Sequence, residues 1–325
     1  MGTVHKMDLA RIQEEFVQEF KFGNEERARV LVSQLGKGPK QVRSALEAML
    51  ESPESLVRQA AAFGLGELGG KASVERLERQ LAIEEARGDY GSDAVVEDIT
   101  RALARIGEAS ARAALVRRLE RLTASAPAIS DLNEMSYALW RRRHPDLIPA
   151  VRRSLEGLSH SEPNNLIGLL TLLEKSPEAL DAWARASEVS IDHKMRALAV
   201  LEEDVPDSLI PILPAFIATA YALREQASGQ DDDAAYYCER LFSLLLGDRE
   251  RLIPALSGEA RAMLRAVARS LVTSPSMSSA LPAAVVLKLV GRPEDVALLE
   301  SRRPEDDPGF AKVFDDAARV LRNLH

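Results

Sequence analysis

The segment VRQAAAFGLGELG, residues 57–69, carries the most information about the fold. Its apolar residues recur at the three- and four-residue spacing of a helix. It also places Gly64 and Gly66 inside that helix, where each glycine costs roughly 1 kcal/mol relative to alanine. Three successive alanines, at 60–62, precede them. Small residues at such positions are expected where neighbouring helices approach closely on more than one side, as in a stack of helix pairs.

Related residues recur along the chain every 33 to 38 positions. Leu68-Gly69 follows Leu35-Gly36 by 33 residues, and Ile106-Gly107 follows Leu68-Gly69 by 38. A further step of 36 places Ala138-Leu139 in phase with Ala102-Leu103. A period of this length with helical spacing inside it is typical of repeat proteins. The sequence therefore predicts an all-α fold, an α-solenoid of antiparallel helix pairs.

We predict one continuous array in four parts. These are an N-terminal capping helix (1–24), regular repeats (25–158), divergent helical repeats (159–280), and a C-terminal hairpin with its capping helix (281–325). The first helix carries Phe16, Phe20 and Phe22 and is either a cap or a dimer contact. A terminal unit that covers the array is physically required, which favours the cap.

The repeat pattern resembles a known family. The segment SPESLVRQAAAFGLGELGGKASVERLERQL, residues 52–81, is similar to a HEAT repeat of the short bacterial kind also seen in phycobilin lyase subunits. The unit at 93–122 is similar, but Val96 stands where the family usually has an arginine. The resemblance implies a non-enzymatic scaffold or adaptor for proteins, in which Arg58 braces adjacent layers. HEAT-like folds also include chromophore lyase subunits and DNA glycosylases, so an enzyme stays an alternative.

Composition constrains the partners. The formal net charge is −8, which disfavours nucleic acid and anionic lipid on average, although a non-catalytic nucleic-acid binder stays a further alternative. The cysteine content and the apolar runs bear on localisation. Cys238 is the single cysteine, which indicates a reducing compartment. No apolar run reaches the ~18 residues of a membrane span, and the N-terminus lacks a signal core. We expect a soluble, cytoplasmic protein. Nothing in the sequence specifies its oligomeric state.

No constellation of catalytic or ligating residues is visible in the sequence. The five histidines show no metal-ligand spacing, and neither HExxH nor CxxC occurs. Cys238 is expected to be a small core residue because no local histidine supports a nucleophile. We therefore predict no catalytic residue, no metal and no cofactor.

Arginine is concentrated between positions 101 and 156, where eleven arginines accompany six acids. Arg79, Arg117 and Arg153 occupy the same phase in three successive second helices, so they are expected to form a ladder on one face. The functional interpretation is a concave-face docking stripe for a protein with an acidic segment. The structural alternative is that the arginine stems cover helix seams and pair with Glu75, Glu78 and Glu120. The candidate partner-binding residues beside the ladder are Arg118, Arg121, Arg152 and Trp140.

One insertion is prominent. The 38-residue step adds length at 84–93, EEARGDYGSD. We predict a projecting loop in which Tyr90 contacts a partner, because insertions in solenoids often map to one binding edge.

Overall fold

The computed structural model describes residues 2–158, 164–226 and 232–324. Within these ranges the chain forms nineteen α-helices and three short 3-10 helices, and no strand. The predicted all-α fold class is confirmed. The helices divide into two compact units, residues 1–161 and 162–325. The finer four-part division of the array stays a prediction.

Unit 1 contains nine helices within residues 2–158, and a 3-10 turn at Pro145–Leu147 precedes the last of them. They are α1 (Gly2–Lys21), α2 (Glu25–Gln34), α3 (Pro39–Met49), α4 (Ser55–Leu68), α5 (Lys71–Arg87), α6 (Tyr90–Arg105), α7 (Ala109–Thr123), α8 (Ile129–Arg141) and α9 (Ile148–Gly157).

Unit 2 contains ten helices in its described part, with 3-10 turns at Asp207–Ile212 and Pro293–Asp295. They are α10 (Asn165–Glu174), α11 (Pro177–Arg185), α12 (Ile191–Leu201), α13 (Leu213–Gln226), α14 (Asp232–Gly247), α15 (Arg249–Ala255), α16 (Gly258–Leu271), α17 (Met277–Val290), α18 (Val296–Ser301) and α19 (Pro308–Arg322).

Two parallel rows of helices organise unit 1. The first helices of successive pairs, α4, α6 and α8, pack side by side. The second helices, α5, α7 and α9, form the other row, which we call the second-helix layer. Helix α1 packs on α2 and α4, where Phe16 and Phe20 contact the ring of Phe63. Phe22 at the end of this segment is instead exposed.

The interior glycines of α4 mark the closest helix contacts. A Cβ atom at Gly64 would lie 2.5 Å from Leu46 Cδ2 on α3. A Cβ atom at Gly66 would lie 2.9 Å from Ala102 Cβ on α6. Both distances are shorter than carbon atoms can approach without displacement. The two glycines therefore allow α4 to pack closely against both α3 and α6, as the sequence indicated.

The prediction of a projecting loop at 84–93 is wrong. Helix α5 continues to Arg87, and α6 begins at Tyr90. Gly88, with φ +62°, ends α5 in the left-handed conformation that glycine adopts easily. Asp89 then caps α6 by accepting a hydrogen bond from the Ser92 amide at 2.7 Å. The additional residues therefore lengthen the two helices, and only two residues connect them.

Candidate protein-binding surface

The second-helix layer exposes a group of arginines on three successive helices. Arg79 lies on α5, and Arg117 and Arg121 lie on α7. Arg152 and Arg153 lie on α9. All five are exposed, and the side chains of Arg117 and Arg153 keep 52% and 63% of their accessible surface.

Ion pairs connect these helices across their seams. Arg117 on α7 forms a two-pronged pair with Glu78 on α5, with Nε–Oε1 at 2.6 Å and Nη2–Oε2 at 2.8 Å. Arg121 reaches Glu85 on α5 at 3.2 Å. Arg153 on α9 reaches Glu120 on α7 at 3.2 Å. We call these three pairs the arginine seam. It matches the structural alternative for Arg117 and Arg153, because both pair with glutamates of the preceding second helix.

The pairing changes the protonation equilibria of Arg117 and Glu78. The hydrogen bond from Arg117 lowers the pKa of Glu78, although burial acts in the opposite direction. The hydrogen bond to Glu78 in turn raises the pKa of Arg117. Both groups therefore stay charged at neutral pH, and the pair persists there.

Arg79 differs from the other members of the predicted ladder. Its Nε donates only to the backbone carbonyl of Glu75, at 3.4 Å. Within the described residues its guanidinium forms no ion pair. Its terminal nitrogens can therefore bind an external carboxylate without first releasing an internal one.

Arg118 and Trp140 belong to the core, which corrects their assignment to a binding surface. Arg118 directly follows Arg117, so the helical turn directs it inward, where it is 3% exposed. Its Nη1 lies 2.8 Å from Met135 Sδ, and burial lowers its pKa. Trp140 is 2% exposed, and the Arg143 guanidinium lies 5.0 Å from its ring centroid. Neither side chain offers surface to a partner in this arrangement.

Tyr90 is accessible but stands at a helix start rather than on a loop. It is the first residue of α6 and is 93% exposed. Ile83 on the preceding α5 is also exposed. Tyr90 therefore stays a candidate contact residue at the α5–α6 turn.

A buried carboxylate in unit 1 escaped the sequence analysis. Glu84 on α5 is fully buried and accepts from Arg58 on α4, with Nε–Oε1 at 2.8 Å and Nη2–Oε2 at 3.1 Å. Gln80 donates to the same carboxylate at 2.6 Å. Burial alone would raise the pKa of Glu84, but the hydrogen bonds from Arg58 and Gln80 outweigh it and lower the pKa. The available signal was spacing, because Glu84 continues the apolar stripe of Leu77 and Leu81.

Arg58 therefore braces its own helix pair rather than adjacent layers, which corrects the expectation from the family. Besides Glu84, its Nη1 donates to the carbonyls of Ser52 and Pro53 at 3.0 and 2.9 Å. These carbonyls precede α4 in the chain. The arginine thus fastens α4 to α5 and to the segment that leads into α4.

Unit 2 contains a second buried carboxylate. Asp295 lies in the 3-10 turn before α18 and is fully buried. Arg265 on α16 donates to it twice, at 2.6 and 2.8 Å, and Arg269 also pairs with it. The Arg292 amide donates at 2.9 Å. Burial would raise the pKa of Asp295, but these hydrogen bonds outweigh it and lower the pKa.

The described part of the chain contains neither a candidate membrane span nor a candidate metal site. No helix there is both long and apolar enough to cross a membrane. No group of three or more histidine, cysteine, aspartate or glutamate residues there is arranged to hold a metal ion.

Comparison with protein families identifies one repeat directly. Residues 57–82 match the family described as PBS lyase HEAT-like repeat. The match spans most of α4 and α5, so the resemblance found in the sequence is confirmed for this helix pair. Arg58 falls within the matched segment, whereas Glu84 lies two residues beyond it.

Solved structures show only a distant likeness. Human deoxyhypusine hydroxylase in complex with glycerol is 15% identical, with 99% of each chain covered and a TM-score of 0.33. An engineered protein is 16% identical, with coverage of 97% of this chain and 100% of its own, and a second is 14% identical, with 86% and 96% covered. Both have a TM-score of 0.29. Scores this low carry no inference for this chain. No curated protein matches its sequence.

Proposed function

We propose that the protein is a non-enzymatic repeat scaffold that binds a protein partner across the second-helix layer of unit 1. The arginine seam carries the proposal. Its ion pairs hold exposed guanidinium groups at fixed positions on neighbouring helices. A group that is already ordered loses less entropy on binding, and arginine is enriched at protein interfaces.

The chemistry of the layer favours a partner with acidic residues. Exposed ion pairs contribute only about 0–1 kcal/mol, so a partner carboxylate can replace Glu78 or Glu120 at little cost. Arg79 has no internal ion pair to break within the described residues. Guanidinium groups bind carboxylates with two parallel hydrogen bonds, which gives such contacts geometric specificity.

The spacing of the layer suggests the form of the acidic segment. Neighbouring packed helices lie about 8–10 Å apart. On a helical partner, carboxylates seven residues apart are separated by about 10 Å along the axis. An acidic helix that crosses α5, α7 and α9 would therefore place successive carboxylates near Arg79, Arg117 and Arg153.

The test is affinity capture from a nuclease-treated lysate of the source organism at two salt concentrations. The baits are the wild-type protein, the variant Arg79→Glu/Arg117→Glu/Arg153→Glu, and the control Arg240→Glu/Arg303→Glu/Arg319→Glu. The control reverses three exposed, ion-paired arginines of unit 2, so the change in net charge is the same.

We expect a protein that the wild type and the control retain and the unit 1 variant loses. The difference between the wild type and the unit 1 variant should narrow at the higher salt concentration, since salt screens exposed charges. Equal capture by all three baits would remove the layer as the binding surface. In a parallel capture without nuclease treatment, retention of nucleic acid in place of protein would favour the nucleic-acid alternative.

A further inference from the structure

A groove lies at the start of unit 1, away from the arginine seam. It runs between α1, the first turns of α3 and the α2–α3 connection, and encloses about 800 Å³. Leu9, Ile12, Leu35 and Ala45 supply its apolar lining. A second hollow of about 440 Å³ adjoins it at Gly36 and Lys37. We call the two together the N-terminal groove.

The larger hollow of the groove is positively charged in an acidic protein, whereas Arg29 and Glu67 in the adjoining hollow pair with each other at 2.6 Å. Lys37 and Lys40 line the larger hollow, and both are exposed. Among the described lining residues of that hollow there is no carboxylate, and neither lysine forms an ion pair with a side chain that the structure describes. Lys37 and Lys40 therefore differ from the arginines of the arginine seam, whose charges are neutralised by paired glutamates. The formal net charge of the whole chain is −8, so this local positive charge is distinctive.

The backbone adds to this positive potential. Helix α3 begins at Pro39. Its first turn lines the hollow through Lys40 and Gln41, and the connection before it contributes Lys37. The Lys37 amide donates to Gln41 Oε1 at 2.9 Å, which fixes the connection against the helix. The N-terminus of a helix carries about half a positive charge and favours a carboxylate nearby. The lysines and the helix end therefore attract the same sign of charge.

We propose that the N-terminal groove binds a short extended protein segment in which an apolar side chain is flanked by acidic residues. The apolar lining accepts the side chain, and Lys37 and Lys40 pair with the flanking carboxylates. A volume near 800 Å³ lies within the range of ligand-binding pockets, which bury most of the surface of a small ligand. Nucleic acid fits less well, because the acidic chain repels long polyanions. The groove uses α1 and α3, so the proposal is independent of the function proposed for α5, α7 and α9.

The test uses a random dodecapeptide library displayed on phage, selected against the full-length protein. Selected peptides are synthesised with a fluorescent label, and their dissociation constants are measured by anisotropy. Lys37→Glu/Lys40→Glu reverses the charge of the groove. Ser44→Trp instead obstructs it from an exposed lining position without changing the charge. The control, Lys175→Glu/Lys312→Glu, reverses two exposed lysines of unit 2.

We expect selected peptides to combine at least two acidic residues with a neighbouring leucine, phenylalanine or similar side chain. Both groove variants should weaken their binding by at least about tenfold, and the control should leave it unchanged. Circular dichroism melting confirms that each variant is folded. The proposal is overturned if no peptide is enriched, if enriched peptides lack acidic residues, or if they bind both groove variants as tightly as the wild type. Because the arginine seam is intact in every protein used, failure here does not bear on the proposed scaffold surface.

Discussion

Glu84 in unit 1 and Asp295 in unit 2 are both fully buried carboxylates held by arginine, but they connect different parts of a repeat array. Glu84 and Arg58 join the two helices of one pair. Asp295 joins α16 to the turn that follows α17, and so connects one helix pair to the next. The same chemical device therefore stabilises a hairpin in one unit and the junction between hairpins in the other.

The arginines that bind the two carboxylates also differ in their solvent exposure and in their alternative acidic partners. The Arg58 side chain is 4% exposed, and Glu84 is its only carboxylate partner among the described residues. Arg265 also pairs with Glu294 at 3.0 Å, and Arg269 is 41% exposed to solvent. Loss of Glu84 therefore leaves the charge of Arg58 buried without a partner. After loss of Asp295, Arg265 can still pair with Glu294 and Arg269 is still solvated.

This difference predicts the largest effect. Glu84→Ala is expected to lower the free energy of unfolding by about 3–5 kcal/mol, because it leaves the Arg58 guanidinium buried without a counter-charge. Asp295→Ala is expected to cost about 2 kcal/mol, within the range for loss of charged hydrogen bonds. Urea denaturation followed by circular dichroism measures both.

A double substitution separates the stranded charge from the loss of packing. Arg58→Met/Glu84→Leu replaces the ion pair by apolar side chains of similar size, which is often neutral for a buried pair. We expect it to be more stable than Glu84→Ala alone. If Glu84→Ala costs no more than Asp295→Ala, the contrast between the two carboxylates is incorrect.

Asp98 on α6 supplies the opposite case, a largely buried carboxylate with a poor partner. Its nearest arginine nitrogen, Arg101 Nη1, is 3.5 Å away, and burial raises its pKa to about 6. A raised pKa in the folded state means that stability decreases as pH rises from about 4 to 6. The lowered pKa values of Glu84 and Asp295 have the reverse sign, so their contributions are lost as pH falls below about 4.

Asp98→Asn is therefore expected to stabilise the protein at pH 7 by about 1–2 kcal/mol, since one pKa unit corresponds to ~1.4 kcal/mol and the residual solvent exposure of Asp98 screens part of the cost. The gain should vanish below about pH 4, where Asp98 is protonated in both states. Urea denaturation at pH 4, 5.5 and 7 follows this difference. A gain that does not change with pH would show that burial of charge is not the cause.

The local features of the fold were predictable, and the pairings between distant residues were not. The glycines and alanines of 57–69 identified α4 as a helix packed on several sides, because a single helix encodes that constraint. Arg58 and Glu84 are separated by 26 residues, so their contact depends on how α4 and α5 cross. Glu84 was assigned to a loop because the 38-residue step adds length at 84–93, but the added residues extend α5 and α6 instead.

The candidate surface shows the same limit. The phase of the repeats correctly placed Arg79, Arg117 and Arg153 on exposed positions of three successive second helices. Phase alone could not establish which acids they meet, since the pairing runs between helices. Arg118 and Trp140 were selected by proximity in sequence, which does not distinguish the outer from the inner side of a helix.

The exposed ion pairs of the arginine seam can be compared with the two buried pairs, and they predict the smallest change in the free energy of unfolding. Arg117→Glu places a like charge beside Glu78 and is expected to cost about 1 kcal/mol. The exchanged pair Arg117→Glu/Glu78→Arg restores the attraction and should regain most of that loss, in contrast to the stranded charge of Arg58. Thermal melting of the two variants measures the stability difference, which should narrow as salt rises because salt screens exposed charges. The exchanged pair Arg117→Glu/Glu78→Arg also tests binding, because it moves the guanidinium from α7 to α5 without altering the net charge. If the partner recognises arginine positions rather than total charge, capture by the exchanged protein weakens while its melting temperature stays near that of the wild type. Full capture by the exchanged protein would mean that only the overall charge of the layer matters.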